Sequence, residues 1–345
     1  MRVPLETLMW LKFVSRQWHS LITAPHFRNL LPPLRVSGLF FQRTKVLFVH
    51  RDDPNTPSPF KSLAFVHDPC DPERICIVQS CNGLLLCSTD DHALVAINKR
   101  NHYVYNPFTN QVDTLPKHPC HNKYGLPSIN LIFDPSKSPH YKVIAFLAKP
   151  QSDVGDFFIC SSETGSWRAS IQAYLPSPDM WFRYGVYWNG CLHWLGQYSR
   201  PVSDSLYFNV DEESALHYTE VRPSVHSAFS VYEMKSDYSE WFVKYQIDLV
   251  PISIAFPEMK DCSFFPFESC YNAAVASIIR RENFKEDSFL VLVLPGKIIH
   301  YNLIDKSFKV IWDFVVDLEL QGNLRHWLCG NFKAWPYKPL RANVG

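Results

Sequence analysis

Glycine is scarce in this sequence, with 12 glycines among 345 residues, and the glycine-rich patterns of nucleotide-binding proteins are missing altogether. Neither a Walker loop nor a G-x-G-x-x-G segment occurs, so phosphate-binding loops of these kinds are excluded. The nucleophile elbow G-x-S-x-G is missing as well. These absences leave no positive sign of an enzyme, and we predict a protein with no catalytic residues, no metal and no cofactor.

Charge is also limited, since charged residues make up 19% of the chain and the formal net charge is +1. This balance gives no overall field that would attract nucleic acid or an anionic membrane. No apolar run approaches the roughly 20 residues that cross a bilayer, and Glu6 and Lys12 interrupt what would be the core of a signal peptide. We therefore expect a cytoplasmic or nuclear protein whose cysteines are free thiols, with Cys81, Cys87 and Cys191 buried in strands.

Aromatic residues are plentiful, at 15% of the chain, within a hydrophobic content of 46%. Aromatic and β-branched residues favour sheets. From about residue 36 onward, short apolar strands alternate with turns that contain Gly, Asn, Asp and Pro, beginning with a strand pair at 39–41 and 46–49. This alternation is typical of an all-β sandwich, barrel or propeller.

Repetition favours the propeller. Four hairpins share one plan, in which an aromatic or apolar strand, a polar turn and a second strand with a bulky apolar residue follow one another: 103–112, 158–168, 206–216 and 299–310. They recur at steps of about 50 residues, as in kelch-like blades, and the longest gap holds a weaker copy at 241–248. The turns Asn82-Gly83, Asn189-Gly190 and Pro295-Gly296 suit tight hairpins. Residues 36–316 leave room for about six blades.

The N-terminal segment has a helical pattern and more apolar surface than it can bury by itself. Pro4 suits the first turn of one helix, and Pro25 ends a second one. The apolar residues between them fall at steps of three and four: Leu5, Leu8, Met9 and Leu11 in the first helix, and Phe13, Val14, Trp18, Leu21 and Ile22 in the second. We expect part of this surface to contact a partner protein; the alternative is that the helices only pack against the following domain.

These N-terminal residues resemble the later half of the F-box, the motif that docks substrate receptors on the Skp adaptor of cullin-type ubiquitin ligases. The resemblance rests on the family's order of residue types, here Val3, Pro4, Leu8, Leu11, Lys12, Val14, Ser15, Arg16, Trp18, Leu21, Ile22, Pro25 and Phe27. It implies adaptor contacts from Pro4, Leu5, Leu8, Leu11, Val14, Trp18, Leu21 and Ile22. The family's earlier Leu-Pro turn and first helix have no counterpart here, so we expect residues 1–30 to form an N-terminally truncated, two-helix partial F-box.

The rest of the chain, 36–345, resembles the F-box-associated propeller domain of plant F-box proteins with a C-terminal extension. The matching motifs are SCNGLLLC at 80–87, YNPFT at 105–109, GVYWNG at 185–190, FNVDE at 208–212 and WPYKP at 335–339. The resemblance implies a substrate-recognition subunit of an SCF-type ligase that binds a Skp adaptor, through it a cullin, and an unknown target protein. The alternative is a propeller module for protein or carbohydrate that has lost adaptor binding.

The segment Met180-Trp181-Phe182-Arg183-Tyr184 is our candidate for target binding, because aromatic residues, Met and Arg are enriched at interfaces. Packing of this segment against a neighbouring blade is the alternative.

Three other groups are given structural interpretations. His118, Cys120 and His121 lack the spacing of a zinc site and are expected in a solvated loop. The Cys191–His193 pair has no recognisable third group to orient it and is assigned to packing. The acidic run 211–213 is expected to be an exposed hairpin tip.

Overall fold

The structure is a computed structural model that describes residues 14–23, 37–42, 46–50, 75–89, 100–118, 128–148, 154–174, 185–195, 205–211, 215–221, 227–260, 271, 273–280, 288–313 and 333–338. It divides into two compact units. Unit 1 comprises Met1–Arg35, Ile77–Tyr174 and Lys338–Gly345, and unit 2 comprises Val36–Cys76 and Leu175–Tyr337. None of the helices in the described ranges is long and apolar enough to cross a membrane. The predicted boundary between residues 30 and 36 stays a prediction.

The described residues form few helices and many strands. The helices are Arg16–Thr23, Val250–Ala255 and the 3-10 turn Pro257–Met259. The strands are β1 (Gly38–Gln42), β2 (Val46–His50), β3 (Cys76–Cys81), β4 (Leu84–Ser88), β5 (His102–Asn106), β6 (Gln111–Thr114), β7 (Ser128–Ile132), β8 (Lys142–Ala148), β9 (Val154–Ser161), β10 (Ser166–Tyr174), β11 (Val186–Trp188), β12 (Cys191–His193), β13 (Ser205–Val210), β14 (Leu216–Val221), β15 (Ala228–Met234), β16 (Trp241–Asp248), β17 (Ala274–Ile279), β18 (Phe289–Leu294), β19 (Lys297–Asn302), β20 (Phe308–Asp313) and β21 (Lys333–Tyr337).

Most of these strands belong to four-stranded sheets in which chain neighbours pair. Unit 1 contains the sheets β3–β6 and β7–β10, and unit 2 contains β13–β16 and β17–β20. Unit 2 also contains a three-stranded sheet in the order β2-β1-β21 and the two-stranded hairpin β11–β12. The predicted mainly β, propeller-type fold is confirmed, but five sheets of three or more strands stand where we expected about six blades. Among the described strands, the sixth sheet is only a hairpin.

The tight turns adopt the predicted backbone conformations. Asn82 and Gly83 have φ values of 46° and 95°, and Asn189 and Gly190 have 48° and 82°. Positive φ at both central residues is the type I′ turn, whose twist matches that of the flanking strands. Gly296, with φ of 75°, follows Pro295 as a type II turn requires. Dipeptides that read as turns in the sequence therefore join β3 to β4, β11 to β12 and β18 to β19.

One of the four hairpins that share a plan lies at a different position within its sheet. Hairpins 103–112, 158–168 and 299–310 form the third and fourth strands of their sheets, whereas 206–216 lies at the first two strands of β13–β16. The copy judged weaker, 241–248, is β16 and fills the fourth position. The hairpin predicted at 206–216 is present as β13 and β14, but the shared plan does not distinguish positions, because an apolar strand, a polar turn and a second strand describe any antiparallel hairpin, wherever it lies in a sheet.

The sheet β17–β20 carries the core of unit 2 on both of its faces. Leu290, Leu292 and Leu294 in β18 pack with residues of β13–β16. The intervening Val291 and Val293 pack with residues of β1 and β2. Side chains alternate across a strand, so burial on both faces explains why β18 reads as an unbroken apolar run instead of an alternating one.

The strands β1 and β21 pair within unit 2 although they lie far apart in the chain. Leu39 of β1 is opposite Pro336 of β21, which tolerates proline because β21 is an edge strand in this sheet. A Cβ on Gly38 would lie 2.3 Å from a ring carbon of Phe48 and 2.6 Å from the carbonyl oxygen of Val49. Glycine at 38 is therefore required for the close approach of β2.

The two sheets of unit 1 are joined by polar side chains. Gln79 in β3 accepts a hydrogen bond from the Leu131 amide at 2.6 Å and donates one to the Leu131 carbonyl at 3.1 Å. The Asn82 side chain donates to the Phe133 carbonyl at 2.8 Å, and the Trp167 indole donates to the Pro116 carbonyl at 2.8 Å. Side chains of one sheet thus bind backbone groups beside the other.

Candidate adaptor-binding helix and the buried polar sites

The helix Arg16–Thr23 begins at a serine cap. The hydroxyl of Ser15 accepts a hydrogen bond from the Trp18 amide at 3.2 Å. Serine is a preferred N-cap residue because it pairs one of the amide groups that have no partner inside the first turn. The cap fixes where the helix starts.

Three apolar side chains of this segment are exposed. Val14 has 67%, Trp18 40% and Leu21 44% of its surface exposed. Trp18 and Leu21 lie at positions i and i+3 of the helix and therefore share one face, while Val14 precedes the serine cap. Large apolar groups aligned in this way form a surface that an apolar groove of another protein can cover.

The other predicted adaptor-binding residues are only partly within the described ranges. Ile22 lies in the helix Arg16–Thr23. Pro4, Leu5, Leu8 and Leu11, and with them the predicted first helix, lie outside the described residues. Their roles stay predictions.

The candidate target-binding segment, Met180, Trp181, Phe182, Arg183 and Tyr184, also lies outside the described residues. The described chain resumes at Gly185, directly before β11. The role of this segment stays a prediction.

His118 does not lie in a solvated loop, so that expectation was wrong. It is buried, and its ring packs at 4.8 Å from that of Phe158 and 4.7 Å from that of Trp167. Burial lowers the pKa of His118 to about 4, because the charged imidazolium loses its hydration. Cys120 and His121 lie outside the described residues. Within the described ranges, no three His, Cys, Asp or Glu side chains cluster as metal ligands.

The Cys191–His193 pair lies in β12 with its two members in different environments. Cys191 is exposed, so the expectation of a buried thiol was wrong. The expectation was met at Cys81 and Cys87, which are buried. His193 Nε2 lies 3.2 Å from the hydroxyl of Tyr238. The pair shows no arrangement that would activate the thiol.

A buried ionic cluster in unit 2 was missed by the sequence analysis. Asp211 is only 2% exposed, so the expectation of an exposed hairpin tip was wrong at this residue; Glu212 and Glu213 lie outside the described residues. Asp211 Oδ2 lies 2.9 Å from His217 Nε2 and 3.0 Å from Arg280 Nε. Glu233 Oε2 lies 2.8 Å from a terminal nitrogen of Arg280 and 3.5 Å from Lys244 Nζ. A run of three acidic residues is typical of a solvated turn, so the sequence next to Asp211 gives no indication that its carboxylate is paired.

The charges of this cluster are mutually compensated. Burial would raise the pKa of Asp211, but the hydrogen bond and charge of His217, the amide of Ala215 and the charge of Arg280 together hold that pKa below its usual value. Because Arg280 follows β17 while Asp211, His217 and Glu233 belong to the sheet β13–β16 and its turn, the cluster ties the two sheets together. The arrangement therefore indicates a structural role, in which the paired charges hold the two sheets together.

Comparison with known proteins now decides the family. The family described as "F-box associated beta propeller domain" matches residues 41–219, more than half of the chain. The chain is 34% identical to F-box protein At5g07610 of Arabidopsis thaliana, over 90% of this chain and 83% of that protein. The chain belongs to the plant F-box proteins with an F-box-associated propeller domain.

A second Arabidopsis thaliana relative of this F-box protein is F-box protein At5g49610, 29% identical over 56% of this chain and 55% of that protein. The family match begins within β1 and ends within β14. It therefore includes Asp211 and His217, while Glu233, Tyr238 and Arg280 follow it in the chain.

Proposed function

We propose that this F-box protein is the substrate-recognition subunit of an SCF-type (Skp–cullin–F-box) ubiquitin ligase. The helix Arg16–Thr23 and the segment before it bind a Skp-type adaptor and, through it, a cullin. The propeller domain binds a target protein, and the complex acts in the cytoplasm or nucleus. The observation that carries this proposal is the exposed apolar surface of Val14, Trp18 and Leu21, at and just before the helix Arg16–Thr23, in a chain of the F-box family.

This exposed surface is large enough to contribute to the affinity for an adaptor. Fully burying a large apolar side chain is worth about 1.5–3 kcal/mol. Since Trp18 and Leu21 are each less than half exposed, covering what remains is worth about 1 kcal/mol per residue. Tryptophan is also enriched among residues that dominate interfaces. Removing both side chains should therefore weaken adaptor binding by about tenfold or more.

In this role the chain makes and breaks no bonds. Its contribution is to hold the target close to the ubiquitin-conjugating enzyme, so that an encounter between two molecules becomes a local event with a high effective concentration. Removing target binding or adaptor binding alone would then abolish target ubiquitination.

The test is co-precipitation of the full chain with a Skp-type adaptor, comparing the unmodified chain with Trp18→Ala/Leu21→Ala. We expect the unmodified chain to bring down the adaptor and the double variant to lose most of it. Val250→Ala/Ile254→Ala is the matched control, because it also removes two exposed apolar side chains, which are 37% and 72% exposed. If the unmodified chain brings down no adaptor, the receptor role is refuted and the module without adaptor binding is favoured. If the helix variant binds the adaptor as well as the unmodified chain does, Trp18 and Leu21 do not form the adaptor-binding surface.

A further inference from the structure

The connection between β15 and β16, residues 235–240, is a short loop with a fixed conformation. Lys235 Nζ lies 2.6 Å from Glu240 Oε1. The Tyr238 amide donates to the Lys235 carbonyl at 2.9 Å, and the Ser239 amide donates to Asp237 Oδ1 at 3.0 Å. We call residues 235–240 the Tyr238 loop. A loop that is ordered before binding loses little entropy when a ligand arrives.

Tyr238 adopts a backbone conformation that is rare for a bulky residue. Its φ is 63°, in the left-handed region that glycine and asparagine tolerate and aromatic residues seldom occupy. The ring packs against Trp188 at 5.0 Å and stacks on His193 at 5.6 Å with an interplanar angle of 15°. These contacts hold the strained backbone in place.

Tyr238 is nevertheless 45% exposed as a residue. The strand that follows adds further exposed apolar surface, since Trp241 is 37% and Val243 47% exposed. Exposed aromatic side chains on a fixed loop have the composition of an interface hot spot.

The charge beside this ring is negative. Glu240 is paired with Lys235, whereas fully exposed Asp237 has no salt-bridge partner among the residues that the structure describes. Hydrogen bonds from the hydroxyl and amide of Ser239 lower the pKa of Asp237, so its carboxylate is ionised at neutral pH. Burial lowers the pKa of His193, an effect that hydrogen bonds with the backbone of Val186 and Cys191 only partly oppose. The stacked imidazole is therefore neutral and does not repel a cation.

We propose that Asp237 and Tyr238 bind an arginine side chain from an extended segment of a partner protein. The guanidinium stacks on the open part of the Tyr238 ring and pairs with the Asp237 carboxylate, while Trp241 and Val243 contact the apolar residues that flank it. Arginine suits the site better than lysine, because its planar group stacks on an aromatic ring and is more weakly hydrated. An acidic segment would be repelled by Asp237.

As an account of which target the protein selects, this inference rests on the proposed receptor function. The binding itself does not, since it needs neither the helix Arg16–Thr23 nor the adaptor. It is therefore tested with the purified full chain alone, and a negative result there leaves the co-precipitation result with the adaptor unaffected.

The probe is the blocked peptide acetyl-Gly-Arg-Gly-Arg-Gly-amide, measured by isothermal titration calorimetry against the same peptide with citrulline in place of arginine. Citrulline keeps the shape of the side chain and removes its charge. We expect saturable binding of the arginine peptide, weaker by about tenfold with citrulline. Equal binding of the two peptides, or no binding of either, overturns the proposal.

Two variants assign the binding to this loop. Tyr238→Gly removes the ring and suits the positive φ, so the fold is retained, and Asp237→Asn keeps the acceptor for the Ser239 amide. Each should lose most of the preference for arginine, whereas Ile254→Ala, in the helix Val250–Ala255, should not. An arginine preference that survives Tyr238→Gly also overturns the proposal.

Discussion

The most direct test of the packing in unit 1 is to remove the side chain of Gln79. The amide of Gln79 pairs both backbone groups of Leu131, at 2.6 Å and 3.1 Å. Leu131 lies in β7, the edge strand of its sheet, and is completely buried. The side chain of Gln79 therefore makes the two hydrogen bonds that a neighbouring strand would make if β7 lay in the interior of its sheet.

The expected loss of stability comes from the backbone N–H and C=O groups of Leu131, which lose their hydrogen-bond partner when Gln79 is removed. A buried donor or acceptor that loses its partner destabilises the fold by about 1–3 kcal/mol. With one N–H and one C=O affected, and some relief from water at the partly exposed Gln79, we expect Gln79→Ala to lower the free energy of unfolding by about 2–4 kcal/mol. That is a large share of the roughly 5–15 kcal/mol that stabilises a typical protein.

Urea denaturation followed by tryptophan fluorescence and circular dichroism would measure this difference. Gln79→Met separates hydrogen bonding from packing, because methionine has a similar volume and offers no comparable donor or acceptor. Gln79→Met should lower the free energy of unfolding nearly as much as Gln79→Ala does. Gln111→Ala, at an exposed position of β6, is the control and should change stability by less than about 0.5 kcal/mol. If Gln79→Met proves as stable as the unmodified protein, the two hydrogen bonds do not contribute as argued.

Two other predictions concern buried ionisable groups. Because the folded-state pKa of Asp211 is lowered, its contribution is present above the unfolded value near 4 and is lost as the pH falls through the folded value. Asp211→Asn should cost about 3–5 kcal/mol at pH 7 and flatten the decline in unfolding free energy below about pH 4; a decline as steep as in the unmodified protein would contradict this assignment. Cysteine alkylation mapped by mass spectrometry should label exposed Cys191 first and leave Cys81 unmodified in the native state, because burial raises the pKa of Cys81 to about 12. Equal labelling of the two thiols would show that Cys81 is accessible.

The sequence predicts best those features that depend on adjacent residues. Asn82-Gly83 and Asn189-Gly190 mark their turns because few other dipeptides accept two positive φ values in succession. The pair β1 and β2 was also predicted, from two apolar runs separated by a polar turn. Both signals are complete within a few residues, so tertiary contacts are not needed to interpret them.

Features that depend on distant partners could not be predicted in this way. Asp211 lies within an acidic run that reads as a solvated turn, and its partner Arg280 lies far along the chain. Gln79 is a polar residue in a mostly apolar strand, and its pairing with Leu131 depends on the position of β7, the edge strand of the other sheet in unit 1. Tyr238 follows an Asp in an ordinary polar loop, and only the ring contacts with Trp188 and His193 explain its backbone conformation.

Register irregularities in the sheets affect how this protein can bind its partners. Four register irregularities occur in the described pairings, and in each case the extra residues lie on an edge strand: β10, β16, β17 and β20. A bulge twists an edge and breaks its row of free backbone groups, which keeps another chain from adding a strand. Since these four edges are blunted in this way, we expect recognition beside them to depend on exposed side chains and not on backbone pairing. Single substitutions such as Trp18→Ala or Tyr238→Gly should then separate adaptor binding from arginine binding, because each surface is built from its own few side chains.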